Sequence, residues 1–404
     1  MTDIASGVAK RVAFKAESAW GSAAGASGGF YLRRVQSSLG LERDKYESQE
    51  IRRDYQRNDV RAGLRKVAGS ISGEISAGTY ASFMAAAVRK AFASVSAITG
   101  LSLTIAASGS NYTVTRSTGS FITDGVKAGD IVRITAGSVD ALNSNKNLFV
   151  LSLTATVLTV RTLNGTAMTA EGPVASCTVA VTGKKTYAPT TSQTDTSFTI
   201  EHWFEDIAQS EYFTGCKVNE MNIALPPTGL ATVDFGFMGK DVTTGTSQYF
   251  SSPTAETTTG ALAAVNGLMM AQGSAIALIT GFNASLKGNM SAEAVVGSNT
   301  YPGIAEGRIV VDGQVTALFQ DATLRDYFLN ETEVALSIVL SASGAAAADF
   351  VAFTLPRCKF SGAKPDDGIK SLQLTMPFDA LFNNAGGSGT TSEQSTIVIQ
   401  DSQA

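Results

Sequence analysis

The sequence predicts a mainly β chain with short helices, built as two tandem modules, the first carrying an inserted small β-barrel. Three observations predict it. Alternating apolar and polar stretches bounded by Gly, Asn and Ser recur along the chain, a strand-then-helix pattern near residue 71 returns near residue 311, and charge thins out at about Ile98. The resulting boundaries are 1–100 and 186–255 for a discontinuous first module, 101–185 for the insert and 256–404 for the second module. A chain of 404 residues accommodates two or three domains. A module of about 150 residues buries roughly 70% of its unfolded surface, so covalent staples are unnecessary.

The N-terminal stretch Met1–Phe14 carries Asp3, Lys10 and Arg11 and has no apolar centre, so it does not read as a secretory signal. Glu42–Lys66 then holds fourteen charges in twenty-five residues, eight basic and six acidic, closely interspersed. Such mixing is not the pattern of a nucleic-acid arm; its ordinary reading is a solvated face. The sharper reading is an arm that docks on a neighbouring subunit by complementary charge, with Arg43, Asp44, Lys45, Glu47, Glu50, Arg52, Arg53, Asp54, Arg57, Asp59 and Arg61 as candidate contacts. Ile71, Gly73 and Ile75 alternate with polar neighbours as in a half-buried strand. Gly78 and Thr79 should end that strand and cap a helix whose stripe is Tyr80, Phe83, Met84, Ala87, Val88 and Ala91, with Arg89 and Lys90 in its last turn.

From Leu101 to Lys185 only eleven of eighty-five residues are charged, and short strands are expected at Tyr112–Arg116, Asp130–Thr135, Leu148–Leu153, Val157–Leu163 and Cys177–Val181. Pro189 to Thr196 reads as a linker back to the aromatic segment Phe198–Phe213. Ala261–Phe282 is uncharged, but Gly267, Gly273 and Gly281 interrupt it, so a linker into a buried strand is expected rather than a membrane span. The last third then echoes the first. Val311-Asp312-Gly313-Gln314-Val315 matches Ile71-Ser72-Gly73-Glu74-Ile75 at an offset of 240, and Cys358-Lys359-Phe360 matches Cys216-Lys217-Val218 at an offset of 142. Asp321 offers a cap for a second helix bearing Leu324, Tyr327 and Phe328.

Little of the composition favours chemistry. Thirty-one basic and thirty-five acidic residues leave a net charge of −4, so no basic field holds DNA by its phosphates. Cys177, Cys216 and Cys358 are odd in number and lack C-x-x-C spacing, which argues against zinc or a disulfide framework. His202 is the only histidine and sits in Ile200–Asp206, where a packed strand histidine outweighs a general base; Glu201, Glu205 and Asp206 have no accompanying sugar cleft. No phosphate loop or calcium loop is spelled, and no catalytic, cofactor or metal residue is assigned.

Taken together, Ile71–Gly73 with the following helix, Phe198–Asp206, Cys216–Gly239 with its Leu225-Pro226-Pro227-Thr228-Gly229 turn, Gly307–Phe319 and Leu355–Phe360 resemble a bacteriophage tail tube protein of a long, non-contractile tail. The resemblance implies modules built as a two-sheet β-sandwich or barrel flanked by a helix, a long docking loop, and a virion protein assembled in the bacterial host cytoplasm. It implies self-assembly into stacked rings that conduct DNA without binding it, with tail terminator and tail-tip proteins as further partners. Glu42–Lys66 would be the loop of the first module and Lys287–Gly303 that of the second. If the usual ring holds six modules, three chains would close a pseudo-hexamer, and a hexamer of whole chains is the alternative. The insert is expected to project outward as decoration that assembly can do without. A tandem β-rich adhesion or carbohydrate-binding protein is the competing reading, favoured by the abundance of Thr, Ser and Gly.

Overall fold

A computed structural model describes residues 4–164, 167–276, 278–320, 322–367 and 369–404. The first half opens with β1 (Lys10–Ala16), β2 (Phe30–Tyr31), β3 (Gln36–Ser37), β4 (Gly40–Glu47), β5 (Val60–Glu74) and α1 (Ala81–Val88). Six strands follow: β6 (Ile98–Ser108), β7 (Asn111–Arg116), β8 (Ile131–Ala136), β9 (Leu148–Leu153), β10 (Val157–Thr162) and β11 (Glu171–Val181). The chain returns through β12 (Lys184–Tyr187), β13 (Phe198–Phe204), β14 (Gln209–Leu225), β15 (Thr232–Gly239) and β16 (Asp241–Gly245). The second half holds β17 (Gly267–Ala271), β18 (Ser274–Ala275), β19 (Ile279–Lys287), β20 (Val310–Leu318), α2 (Thr323–Leu329), β21 (Val334–Ser341), β22 (Phe350–Phe360), β23 (Lys364–Pro365), β24 (Gln373–Ala380) and β25 (Val398–Asp401). The chain is thus mainly β with two short α-helices, as its alternation predicts. Asp321, offered by the sequence as a helix cap, lies outside the described residues, as does Asp3.

The long strand β14 organises the first half because it belongs to two sheets. Its start pairs with β13 and β16, and its end with β15, with the change of direction near Gly215 at φ +69°. One sheet runs β2–β1–β13–β14–β16 and the other β4–β5–β15–β14. Between them α1 buries the predicted stripe as far as Val88, Ala91 lying past the helix end and exposed: the Phe83 ring lies 4.7 Å from Phe14, 5.1 Å from Phe198, 5.2 Å from Phe237 and 5.5 Å from Phe235. Edge and tilted packing at these separations adds to simple area burial. Gly73 is required here by close approach, since a Cβ would fall 1.7 Å from the Tyr80 hydroxyl oxygen. That hydroxyl donates to the Arg33 carbonyl at 2.7 Å.

The helix ends differ from the expectation. No side chain caps the start of α1; the Thr79 hydroxyl instead lies 2.6 Å from that of Ser76. Arg89 takes the left-handed conformation just past the helix, at φ +61°. Its guanidinium leaves the helix and donates to the carbonyls of Gly307 and Gly288 at 2.8 and 3.0 Å, tying down both ends of the β19–β20 connection. Lys90 lies over the Tyr187 ring.

The second half repeats the same order of pairings. β22 has β21 and β25 beside its start and β24 beside its end, as β14 has β13, β16 and β15. Cys216 opposes Phe198 and Cys358 opposes Val334. The glycine alignment shifts, however. Phe237 pairs with Gly69 and Phe378 with Gly313, so Gly69, rather than Gly73, holds the position of Gly313. The hairpin β19–β20 stands where β3, β4 and β5 stand in the first half. Between the halves, Glu220–Leu225 of β14 pairs with Lys287–Phe282 of β19, so one sheet runs unbroken through seven strands, β4–β5–β15–β14–β19–β20–β24.

β6 to β11 close into a separate barrel around Leu103, Val114, Ile134, Val150 and Leu158. The sequence located five of its strands and missed β6. The barrel packs on the second half of the chain. Ile131 and Phe149 of the barrel join Met270, Val339, Phe350 and Ala352 in one apolar cluster. Gln400 of β25 bonds the backbone of Ile131 both ways at 2.8 and 2.9 Å, and Lys185 Nζ sits 3.1 Å from Asp130 and 2.8 Å from Glu393. Removing the insert would uncover Met270, Val339 and Phe350. Among the described residues no helix is long and apolar enough to cross a membrane.

Candidate functional site

The charged run folds as a ribbon. β5 is paired with β15 only over Val67–Glu74; its earlier half pairs with β4 and makes one further bridge, Arg65 to Thr300, so residues 42–66 extend past the sheet as a two-stranded arm tipped by residues 48–59. Gly63 lets the arm close, because a Cβ there would fall 2.5 Å from the Tyr46 ring. At its base Arg65 bonds Asp241 at 2.6 Å, and its amide donates to the Asn299 carbonyl at 2.8 Å. The first arm thus lies beside the β19–β20 connection, the expected second loop.

Most of the predicted contact residues pair within the arm. Lys45 and Arg57 both reach Glu47, at 2.8 and 2.9 Å; Arg52 reaches Asp54 at 2.9 Å and Asn58 at 2.8 Å; Arg61 reaches Asp59 at 2.7 Å. Asn58 donates to Glu50, Arg43 Nε contacts the Gly63 carbonyl at 3.5 Å, and Asp44 lies 4.0 Å from Lys66. Arg53 is exposed. Hydrogen bonds from Lys45 and Arg52 hold the Glu47 and Asp54 carboxyls below their ordinary range. Exposed pairs of this kind are screened by water and contribute little, so they shape the ribbon more than they attract a partner. The unpaired resource at the tip is apolar: Ile51 and Tyr55 are fully exposed, at 102% and 99%. Charge counting passed over these two, although an isoleucine and a tyrosine inside a charged run were readable as anchors.

Of the sheet edges that carry no strand among the described residues, the outer side of β16 included, two end the sheet that runs through β4, β5, β15, β14, β19, β20 and β24. One is the outer edge of β3–β4, where Leu41 is 39% exposed. The other is the outer edge of β22–β23 from Ser361 to Asp367, which pairs only with β24.

Two of the candidate acid–base groups, His202 and Glu201, are packed and hydrogen-bonded within the fold. His202 is buried in β13, its Nε2 2.8 Å from the Ser37 hydroxyl and its ring edge-on to Phe213. Burial first, and then the charges of Lys10 and Arg34, lower its pKa to about 3. Glu201 is buried and accepts the amide of Phe250 at 3.1 Å and that of Tyr249, while desolvation raises its pKa. The three cysteines are buried and unpaired by disulfides. Among the described residues no cluster of three or more His, Cys, Asp or Glu side chains is placed to hold a metal ion.

A family model described as phage tail tube protein matches residues 7–380. No protein in the curated collection matches the chain.

Proposed function

Because the chain belongs to the phage tail tube protein family and is therefore a structural protein of the virion tail, we propose that it closes into rings of three chains that stack into a hollow tube. Each chain is two divergent copies of one tube module, giving a pseudo-hexameric ring. The observation that carries this reading is the seven-strand sheet that passes from β15 and β14 into β19 and β20 without an edge. A chain whose halves are joined by strand pairing already has the form of a ring segment, and a head-to-tail repeat of one interface closes when its rotation permits. Closure also removes the edges that otherwise invite uncontrolled aggregation.

DNA would pass through such a tube without being held, in keeping with a net charge of −4. In this reading the arm, from Arg43 through Arg61, reaches a neighbouring ring and seats Ile51 and Tyr55 there. Assembly takes place in the host cytoplasm, with tail-tip and terminator proteins at the two ends. Negative-stain microscopy of concentrated protein, alone and with a tail-tip initiator, tests it: hollow rings or tubes are expected. Chains that stay monomeric in both conditions, or that bind glycans as stable monomers, would overturn the proposal.

A further inference from the structure

We infer that the two unpaired edges that end the seven-strand sheet are partners for each other in a second copy of this chain: the outer edge of β3–β4 from one copy pairs antiparallel with residues 361–367 of the next. The inference rests on the tube reading and adds the strands, the register and the side chains. Its template is the junction inside the chain. There, the edge of β14 beyond the reach of β13 receives β19, with Met221 opposite Leu286, Asn222 opposite Ser285 and Ile223 opposite Ala284. β22–β23 repeats β14 at the cysteine offset: Asn222 opposes Asp234 on β15, and Lys364 opposes Thr375 on β24. Beyond Val334, however, its outer edge receives no strand among the described residues. The first-half strands in the position of β19 are β3 and β4, which cover β5 as β19 covers β20.

Carrying the register across sets Leu41 opposite Ala363, Gly40 opposite Lys364 and Leu39 opposite Pro365. The chemistry of these pairs fits. In the internal junction the core-facing residues Met221, Ile223, Ala284 and Leu286 are all buried. Their counterparts are Ala363, Pro365, Leu39 and Leu41, apolar at every position, and the exposure of Leu41 is what an open junction leaves behind. On the opposite face Glu220 opposes Lys287 inside the chain. Between copies Glu42 falls diagonal to Lys364, within reach of long side chains. Pro365 supplies no amide donor, so this junction has one hydrogen bond fewer than a full ladder, a feature that also restrains pairing with unrelated strands. Each chain offers one edge of each kind, so association is head to tail.

The test is cross-linking of assembled protein that carries Leu41→Cys on one population and Ala363→Cys on another, the native cysteines being buried. Mild oxidation of co-assembled rings or tubes should give a disulfide-linked dimer containing one chain of each kind, and neither variant alone should give it. Rings or tubes that assemble yet yield no mixed dimer would overturn the edge pairing while leaving the tube reading in place. Failure of the unaltered chain to form rings or tubes would remove both. Should the cysteine variants not assemble, Glu42→Lys or Lys364→Glu alone should raise the concentration needed for assembly by about two- to fivefold, and the double reversal should restore it. A double variant no better than either single one would contradict the pairing.

Discussion

Replacing Asp130 by alanine should loosen the barrel from the second half, because three buried charges meet there. Lys185 Nζ lies 3.1 Å from Asp130 and 2.8 Å from Glu393, and the three side chains are 6%, 3% and 11% exposed in that order. Asp130 also accepts the Lys127 amide at 2.8 Å. Removing one member of a buried ion pair costs about 3–5 kcal/mol when the other is left uncompensated. Here Glu393 still faces Lys185, so Asp130→Ala should cost about 3 kcal/mol, at the lower end of that range. Urea unfolding reads the total, and hydrogen exchange at the Ile131 amide, which donates to Gln400 at 2.8 Å, reads the junction itself. A cycle with Lys185→Met should show a coupling of about 1–3 kcal/mol. A loss below about 1 kcal/mol, the value of an exposed pair, together with additive single changes would refute the argument that this network fixes the barrel in place.

Two groups make stability depend on pH with opposite signs. His202, held neutral at about 3 against 6.5 when unfolded, contributes stability that is complete above pH 6.5 and lost as pH falls towards 3; His202→Gln should flatten that acid loss, which amounts to roughly 4–5 kcal/mol. Asp401, raised by burial to about 6 from 3.8, favours the folded state most below pH 3.8 and loses that contribution as pH rises through 6; the stability of Asp401→Asn relative to the native chain should therefore improve between pH 4 and 7 in paired thermal melts. Ile51→Ser with Tyr55→Ser should change the chain's urea midpoint little, since exposed substitutions usually stay within about 0.5 kcal/mol, but should reduce tube length in micrographs if the tip docks between rings. Deleting residues 98–183 should yield protein that exposes Met270, Val339 and Phe350 and binds a hydrophobic dye; an unchanged dye signal with normal tubes would support the view of the barrel as dispensable decoration.

Local order was legible where side-chain period dictates it. The helix at Tyr80–Val88 and the barrel strands from Tyr112 onward declare themselves because one face is buried at every second or every third and fourth position. β6 did not, since its first residues are exposed and read as a change of composition. Thr79 looked like a cap, yet the competing bond to Ser76 takes its hydroxyl, and Arg89 looked like a dipole partner but is drawn away by Gly288 and Gly307. The pairings put Cys216 and Cys358 at like points of β14 and β22, whereas the glycine match is four residues out, because Gly69 and Gly73 are both demanded by close contacts and sequence spacing cannot tell them apart. At the candidate site, charge was legible and function was not. The arm's charges satisfy one another, and what is left open is a pair of apolar residues at its tip and two sheet edges whose relation depends on strands more than three hundred residues apart. No window of sequence contains that juxtaposition.

The number of chains per ring tests the central claim most directly. Native mass spectrometry of rings released from tubes should give a particle of three 41.9 kDa chains, matched by three-fold symmetry in averaged end-on views. Six chains per ring would contradict the account, because the ring would then hold twelve modules where the account places six.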